Sequence, residues 1–396
     1  QRLSVAEVLL LTPSATQVYS GMVPGLVAGH YSAAQCGIAL APLAAAAGVL
    51  LVEGQAVGLD TAARKLQLAD GRKAFLDFRE KAPLAATAHM YLDAQGQVIP
   101  GASTKGHRAV AVPGTVSGME LALAKYGTWK RAALIAPAIR LAQEGYSLEP
   151  GDADMLQVAA ADLRKDAPSA AIFLPHGEPV AAGQRLVQAD LARTLRRISD
   201  QGAAGFYKGP TAAALVAASQ AGGGLITQAD LDQYTTRELQ PVECDYRGYR
   251  VVSAPPPSSG GVVICQMLNV LEGYPLKDWG YRSAQSVHYQ IEAMRHAYVD
   301  RNSYLGDPDF VKNPLERLLD KGYAARIRAA IAPDKAGVSQ AIKPGVAPHE
   351  GSNTTHYSIV DRWGNAVAVT YTLNDWFGAR VTAANTGVLL NNEMDD

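Results

Sequence analysis

Two runs near the C-terminal end constrain this chain more than any other feature. From Ser352-Asn353 the sequence enters Thr354-Thr355-His356-Tyr357-Ser358-Ile359-Val360, which alternates as a half-buried strand does. Asp361-Arg362-Trp363-Gly364-Asn365 supplies turn chemistry, and Ala366 to Asn374 is a second run rich in β-branched and aromatic residues. The two predict a hairpin. If the loop is Arg362 to Gly364, Asp361 pairs with Asn365 and Thr354 lies opposite Thr372; a slip of one residue puts Leu373 there instead.

Thr354, Thr355 and Thr372 can be read as ordinary sheet threonines. Thr354 also has a chemical reading. A hydroxyl is a weak nucleophile unless a base stands beside it, and the residue's own α-amine can be that base once the residue is a chain terminus. Attack of the Thr354 Oγ on the Asn353 carbonyl would shift the peptide to an ester, and hydrolysis of that ester would free the amine. Thr372, opposite, could donate a hydrogen bond to the Thr354 oxygen.

The rest of the chain carries motifs that belong with this one. Asp77-Phe78-Arg79-Glu80, Pro255-Pro256-Pro257-Ser258-Ser259-Gly260-Gly261, Tyr304-Leu305-Gly306-Asp307-Pro308-Asp309 and Leu390-Asn391-Asn392-Glu393-Met394-Asp395-Asp396 stand beside Asn353 to Ser358 and Thr370 to Asn374. Taken together, from about residue 68 to the end, they closely resemble the γ-glutamyltransferase (γ-glutamyl transpeptidase) family. Upstream, the family's Gly-Asn-Ala-Val-Asp helix start and glycine run are not legible.

The resemblance implies an α+β fold of the N-terminal-nucleophile hydrolase type, an αββα sandwich of two stacked antiparallel sheets between helical layers. It implies autoproteolysis at Asn353-Thr354, dividing a large-subunit region, 1–353, from the start of a small-subunit region, 354–396. Thr354 becomes the nucleophile, with Thr372 as its catalytic partner. Arg79 matches the arginine that holds the donor's α-carboxylate; Asn374, Glu393 and Asp396 match residues proposed for its α-ammonium. The acidic residues can equally be a solvated loop, and Trp376 and Phe377 either wall the acceptor side or pack in the core.

The implied reaction takes γ-glutamyl groups from glutathione or glutamine to water, an amino acid, a peptide or an amine. No cofactor or metal is implied. The family's oxyanion-hole residues, a serine pair and a glycine pair, lie further downstream than Asp396, and the family is exported to the periplasm or secreted. Two other readings remain: a glutaryl or cephalosporin-type acylase of the same superfamily, and an uncleaved, inactive relative that binds peptides.

Composition narrows the partners. Across 396 residues, 48% hydrophobic and 18% charged, the net charge is −1, which gives no electrostatic footprint for nucleic acid or an anionic membrane. No apolar run reaches membrane-spanning length, and Val8 to Leu11 is too short for a signal h-region and lacks a basic flank. Cys36, Cys244 and Cys265 are odd in number and widely spaced, so they read as structural thiols; His288 and His296 read as surface or core histidines.

Among the remaining elements, Leu66 to Arg79 predicts a hairpin turning at Asp70-Gly71 and delivering Arg79 at its end. Helices are predicted over 115–126, 131–143, 187–199, 211–221, 262–271 and 283–300, with Thr227 capping a short one through Gln233. Val242 to Val252 predicts strands around Arg247-Gly248. Residues 334–353 lack periodicity, an accessible approach to Thr354.

Overall fold

The computed structural model describes residues 72–338, 354–361 and 365–395, together with the backbone of four short strands before residue 54. The chain forms two compact units, residues 1–66 with 351–372, and residues 67–350 with 373–396. A boundary of compactness and a boundary of cleavage are different properties, and the first does not report the second.

In the first unit, Leu9–Thr12 runs parallel to Leu50–Glu53, and Thr16–Val18 pairs antiparallel with Gly37–Ala39. The predicted C-terminal hairpin belongs here. Strands Thr355–Val360 and Ala366–Tyr371 pair antiparallel, from Thr355 opposite Tyr371 to Val360 opposite Ala366, and the Asp361 N–H donates to the Asn365 carbonyl (2.9 Å). That is the register predicted for a loop of Arg362 to Gly364, which itself lies outside the described residues. The alternation does not become half-burial: all six residues of Thr355–Val360 are exposed. Among the described residues this ladder has two strands, so no further strand is hydrogen-bonded along either edge.

The second unit is mostly helical. Helices α1 (Thr115–Tyr126), α2 (Arg131–Glu144), α3 (Pro150–Leu163), α4 (Ala167–Phe173), α5 (Ala189–Gln201), α6 (Gly209–Ala221) and α7 (Gln228–Gln233) precede α8 (Gly260–Leu271), α9 (Ala284–Tyr304) and α10 (Lys321–Ala330). Helices α3, α4 and α10 were not predicted. Helix α4 begins where the Asp166 side chain accepts the Ser169 N–H, and α7 where Thr227 and Asp230 form a capping box. Pro137 lies inside α2.

One core holds Val110, Val112, Phe206, Tyr207, Leu215, Leu231 and Tyr234 against Val381, Ala383 and Leu390. The C-terminal segment is thereby threaded into the helical unit. A second core packs α3 and α4, and Phe377 meets Phe173 edge-on with ring centres 5.7 Å apart. Phe377 is therefore a packing residue, whereas Trp376 is 39% exposed.

The described strands pair two by two, as seven two-stranded ladders; two stacked sheets are not among them. Val242–Tyr246 and Tyr249–Ser253 form the hairpin predicted there, turning on Arg247 and Gly248, both at positive φ. The strand before Arg79, Phe75–Asp77, has Arg237–Leu239 as its described partner. The predicted partner arm and turn, Leu66 to Gly71, fall outside the described residues.

The cysteine reading needs correction. Cys244 and Cys265 are disulfide-bonded, with Cα atoms 5.8 Å apart. Linear spacing hid the pairing because the hairpin from Val242 folds back on α8, beside Val262 and Leu318. Chain closure at this point is made tight by Gly261, where a Cβ would lie 2.2 Å from the Ala254 carbonyl oxygen. The Pro255-to-Gly261 stretch is thus an elbow, and Ser259 accepts from the Arg301 Nε at 2.8 Å.

Candidate active site

The segment carrying Arg79 is held on both sides. Asp77, 7% exposed, accepts the Arg79 N–H through Oδ1 (3.2 Å), and the Tyr234 hydroxyl donates to the Arg79 carbonyl (2.7 Å). Two residues on, Lys81 and Val112 exchange both backbone bonds, at 3.2 and 2.8 Å. There is no slack around Phe78 either, since a Cβ on Gly118 would stand 2.2 Å from the Phe78 ring. The Arg79 Nε lies 3.0 Å from the Glu80 carboxylate.

Glu393 opens a 3₁₀ turn, Glu393–Asp395, and is buried. Its Oε1 has no hydrogen-bond partner among the described residues. Burial first, and then the charge of Glu80, push the Glu393 carboxyl up to about 7, against the opposing pull of Arg79. Burial likewise raises Glu80, with Arg79 opposing and Asp77 adding to the rise. Two carboxyls therefore compete for one guanidinium, and one buried oxygen is left without a donor. A cation with N–H donors is the chemical complement of that arrangement.

The turn is fixed by amides. Asn391 accepts the Ala111 N–H and donates to the Ala111 carbonyl, both at 3.0 Å, while accepting the Glu393 N–H at 3.1 Å. Asn392 donates to the Thr104 carbonyl (3.1 Å) and accepts the Asp375 N–H (3.0 Å). Asn374, at positive φ, donates to the Asn392 carbonyl at 3.1 Å. Ser103 donates to Asp395 at 2.5 Å. Arg79, Glu393 and Asn374 thus belong to one network, which Glu80, Asn391, Asn392 and Tyr234 complete. Those four went unassigned from the sequence; for Asn391 and Asn392 an adjacent amide pair before an acidic run was the available signal. Asp396 falls outside the described residues.

Thr354 and Thr372 belong to the other compact unit. The ladder's last pair is Thr355 with Tyr371, so the same register sets Thr354 across from Thr372 one step further. On that face the next pair is His356 with Thr370, whose Nδ1 and Oγ1 are 2.9 Å apart. Asn353 falls outside the described residues. No group of three or more His, Cys, Asp or Glu able to hold a metal occurs among the described residues. His288 instead meets the Ala332 carbonyl at 2.7 Å, and burial lowers the His296 imidazole. No described helix is long and apolar enough to cross a membrane.

A γ-glutamyltranspeptidase family model matches residues 33–396, reaching upstream of the motifs that begin near residue 68. The glutathione hydrolase proenzyme of Pseudomonas sp. (strain A14) is 74% identical over 332 residues, which cover 84% of this chain and 58% of that protein. The acylase ACY 1 proenzyme of Pseudomonas sp. (strain V22) is 39% identical over 380 residues, 89% of this chain and 68% of that protein. Among solved structures, the γ-glutamyltranspeptidase of Helicobacter pylori superposes with a TM-score of 0.69 at 45% identity, covering 72% of this chain and 83% of that one. The chain spans somewhat more than half the length of the glutathione hydrolase relative. With the motifs, the amide-braced acidic turn and a match across most of its length in agreement, the chain belongs to the γ-glutamyltranspeptidase family.

Proposed function

We propose that this chain is part of a precursor that cuts itself at Asn353-Thr354 and then transfers or hydrolyses γ-glutamyl groups. Residues 1–353 belong to its large subunit and 354–396 begin its small one. The observation that carries the reading is the unpartnered, buried Glu393 oxygen beside Arg79 and Glu80. A γ-glutamyl head group offers a carboxylate for the Arg79 fork and an ammonium for Glu393, with Asn374 and Asp396 completing the ammonium's partners. The likeness to a glutathione hydrolase proenzyme supports glutathione as donor.

In this scheme the Thr354 Oγ attacks the donor's γ-carbonyl while its freed amine takes the proton, and Thr372 orients the oxygen. That amine then passes the proton to the leaving nitrogen as the γ-carbonyl C–N bond breaks, the amine or thiol-bearing peptide departs, and water or an acceptor amine attacks the acyl-enzyme. No cofactor takes part. We further infer that the complete protein assembles the αββα sandwich, since a hairpin exposed along Thr355–Val360 needs neighbouring strands to bury its Tyr and Ile side chains. Export to the periplasm or beyond fits the Cys244–Cys265 disulfide, a bond that persists in oxidising compartments.

Thr354→Ala tests the opening step. It should leave one unbroken polypeptide with no release of nitroaniline from a γ-glutamyl anilide; an Ala variant that still splits ends this reading. The acylase likeness supports a second donor class, in which Arg79 holds a glutaryl carboxylate. Turnover of glutaryl but not γ-glutamyl anilide would favour it, because a glutaryl group has no ammonium for Glu393.

A further inference from the structure

We propose that Arg237 is the positioning residue that aims Arg79, by bridging the carboxylates of Asp77 and Asp309. The inference rests on the reading of Arg79 as the donor-carboxylate residue.

Asp77 is buried, and a buried carboxylate is stable only when paired. Arg237 stands directly opposite it in the antiparallel ladder. Two guanidinium nitrogens, Nε (3.2 Å) and Nη2 (2.9 Å), donate to Asp77 Oδ2. Asp77 Oδ1 is thereby left to accept the Arg79 N–H. The third nitrogen, Nη1, reaches both oxygens of Asp309 at 3.0 Å. Burial opposes the charge on Arg237, but the carboxylates of Asp77, Asp309 and Asp307 outweigh it and hold the guanidinium protonated.

Residues 77–79 and 307–309 are far apart in sequence, and this one fork ties them together. With the Tyr234 hydroxyl on its carbonyl, Arg79 has both backbone polar groups fixed, so its side chain leaves a stationary Cα. A lysine at 237 would offer a point charge and could not hold Oδ2 with two nitrogens while reaching Asp309 with a third.

The test is steady-state kinetics on the full-length protein with two anilide donors, γ-glutamyl and 4-aminobutyryl, which differ only in the α-carboxylate. R237Q should raise KM for the γ-glutamyl donor by about tenfold or more, the scale expected when a binding group is misplaced. Its kcat should change little, and KM for the 4-aminobutyryl donor should not move. R237K should recover part of the loss. D309N, which keeps the Asp77 pair and alters an exposed carboxylate, should shift KM the same way by less, and it decides the matter if R237Q does not fold. Equal losses on both donors, or a loss confined to kcat, overturn the proposal. An impaired R79K beside an unimpaired R237Q overturns the bridge alone; an R79K with unchanged KM overturns the head-group reading itself.

Discussion

Replacing Glu393 by Gln should flatten a pH dependence that the wild-type site owes chiefly to that carboxyl. Burial and the neighbouring Glu80 push the group up to about 7. Its ionised form attracts an ammonium and its neutral form does not, so donor affinity is gained as pH rises through 7. At pH 6 about a tenth of the sites are ionised, and at pH 8 about nine tenths. The inhibition constant of L-glutamate should therefore fall about tenfold over that interval in the wild type. In E393Q, which keeps the side chain's length but cannot ionise, the fall should be clearly smaller, with only Glu80 left to titrate. Any other group that titrates over this interval is present in both proteins and cancels in the comparison. The assay is competitive inhibition of nitroaniline release, with glutamate varied at each pH. Stability of the ligand-free protein should run the other way. A carboxyl raised in the folded state holds its proton where the unfolded chain has lost it, so stability declines as pH climbs from the ordinary glutamate range through 7. A wild type and an E393Q with the same slope would falsify the assignment.

Two further outcomes follow from packing. Replacing Cys244 and Cys265 by serine opens a loop with a sequence separation of 21 and should cost about 3 kcal/mol by chain entropy, read as a lower denaturation midpoint in oxidising buffer but no change under reductant. Gly118→Ala sets helix propensity, worth about 1 kcal/mol in its favour, against a Cβ 2.2 Å from the Phe78 ring. Overpacking at such contact costs ~1–3 kcal/mol. The ring must move, so net destabilisation by calorimetry and a raised donor KM are expected; a more stable G118A with normal KM would contradict the rigidity assigned to Phe78-Arg79.

Local chemistry made several elements legible in advance. Thr227 is the helix cap the sequence predicts, to which the structure adds Asp230 as the other half of a capping box, and Arg247-Gly248 is turn chemistry carried by two residues. The hairpin register followed from one loop length, because a period of two leaves no intermediate choice. Helices α3 and α4 escaped notice because alanine-rich and proline-initiated segments show little periodic contrast.

By itself, then, the sequence determined the hairpin of Thr355 to Tyr371, most helices, the family, and the candidacy of Arg79, Asn374 and Glu393. Tertiary structure decided what surrounds them. Pairing Asp77 with Arg237, closing Cys244 onto Cys265 and bracing the acidic turn with Asn391 on Ala111 all join residues far apart in the chain. Such contacts depend on which polar groups are buried together and must satisfy one another, and spacing along a chain carries no record of that.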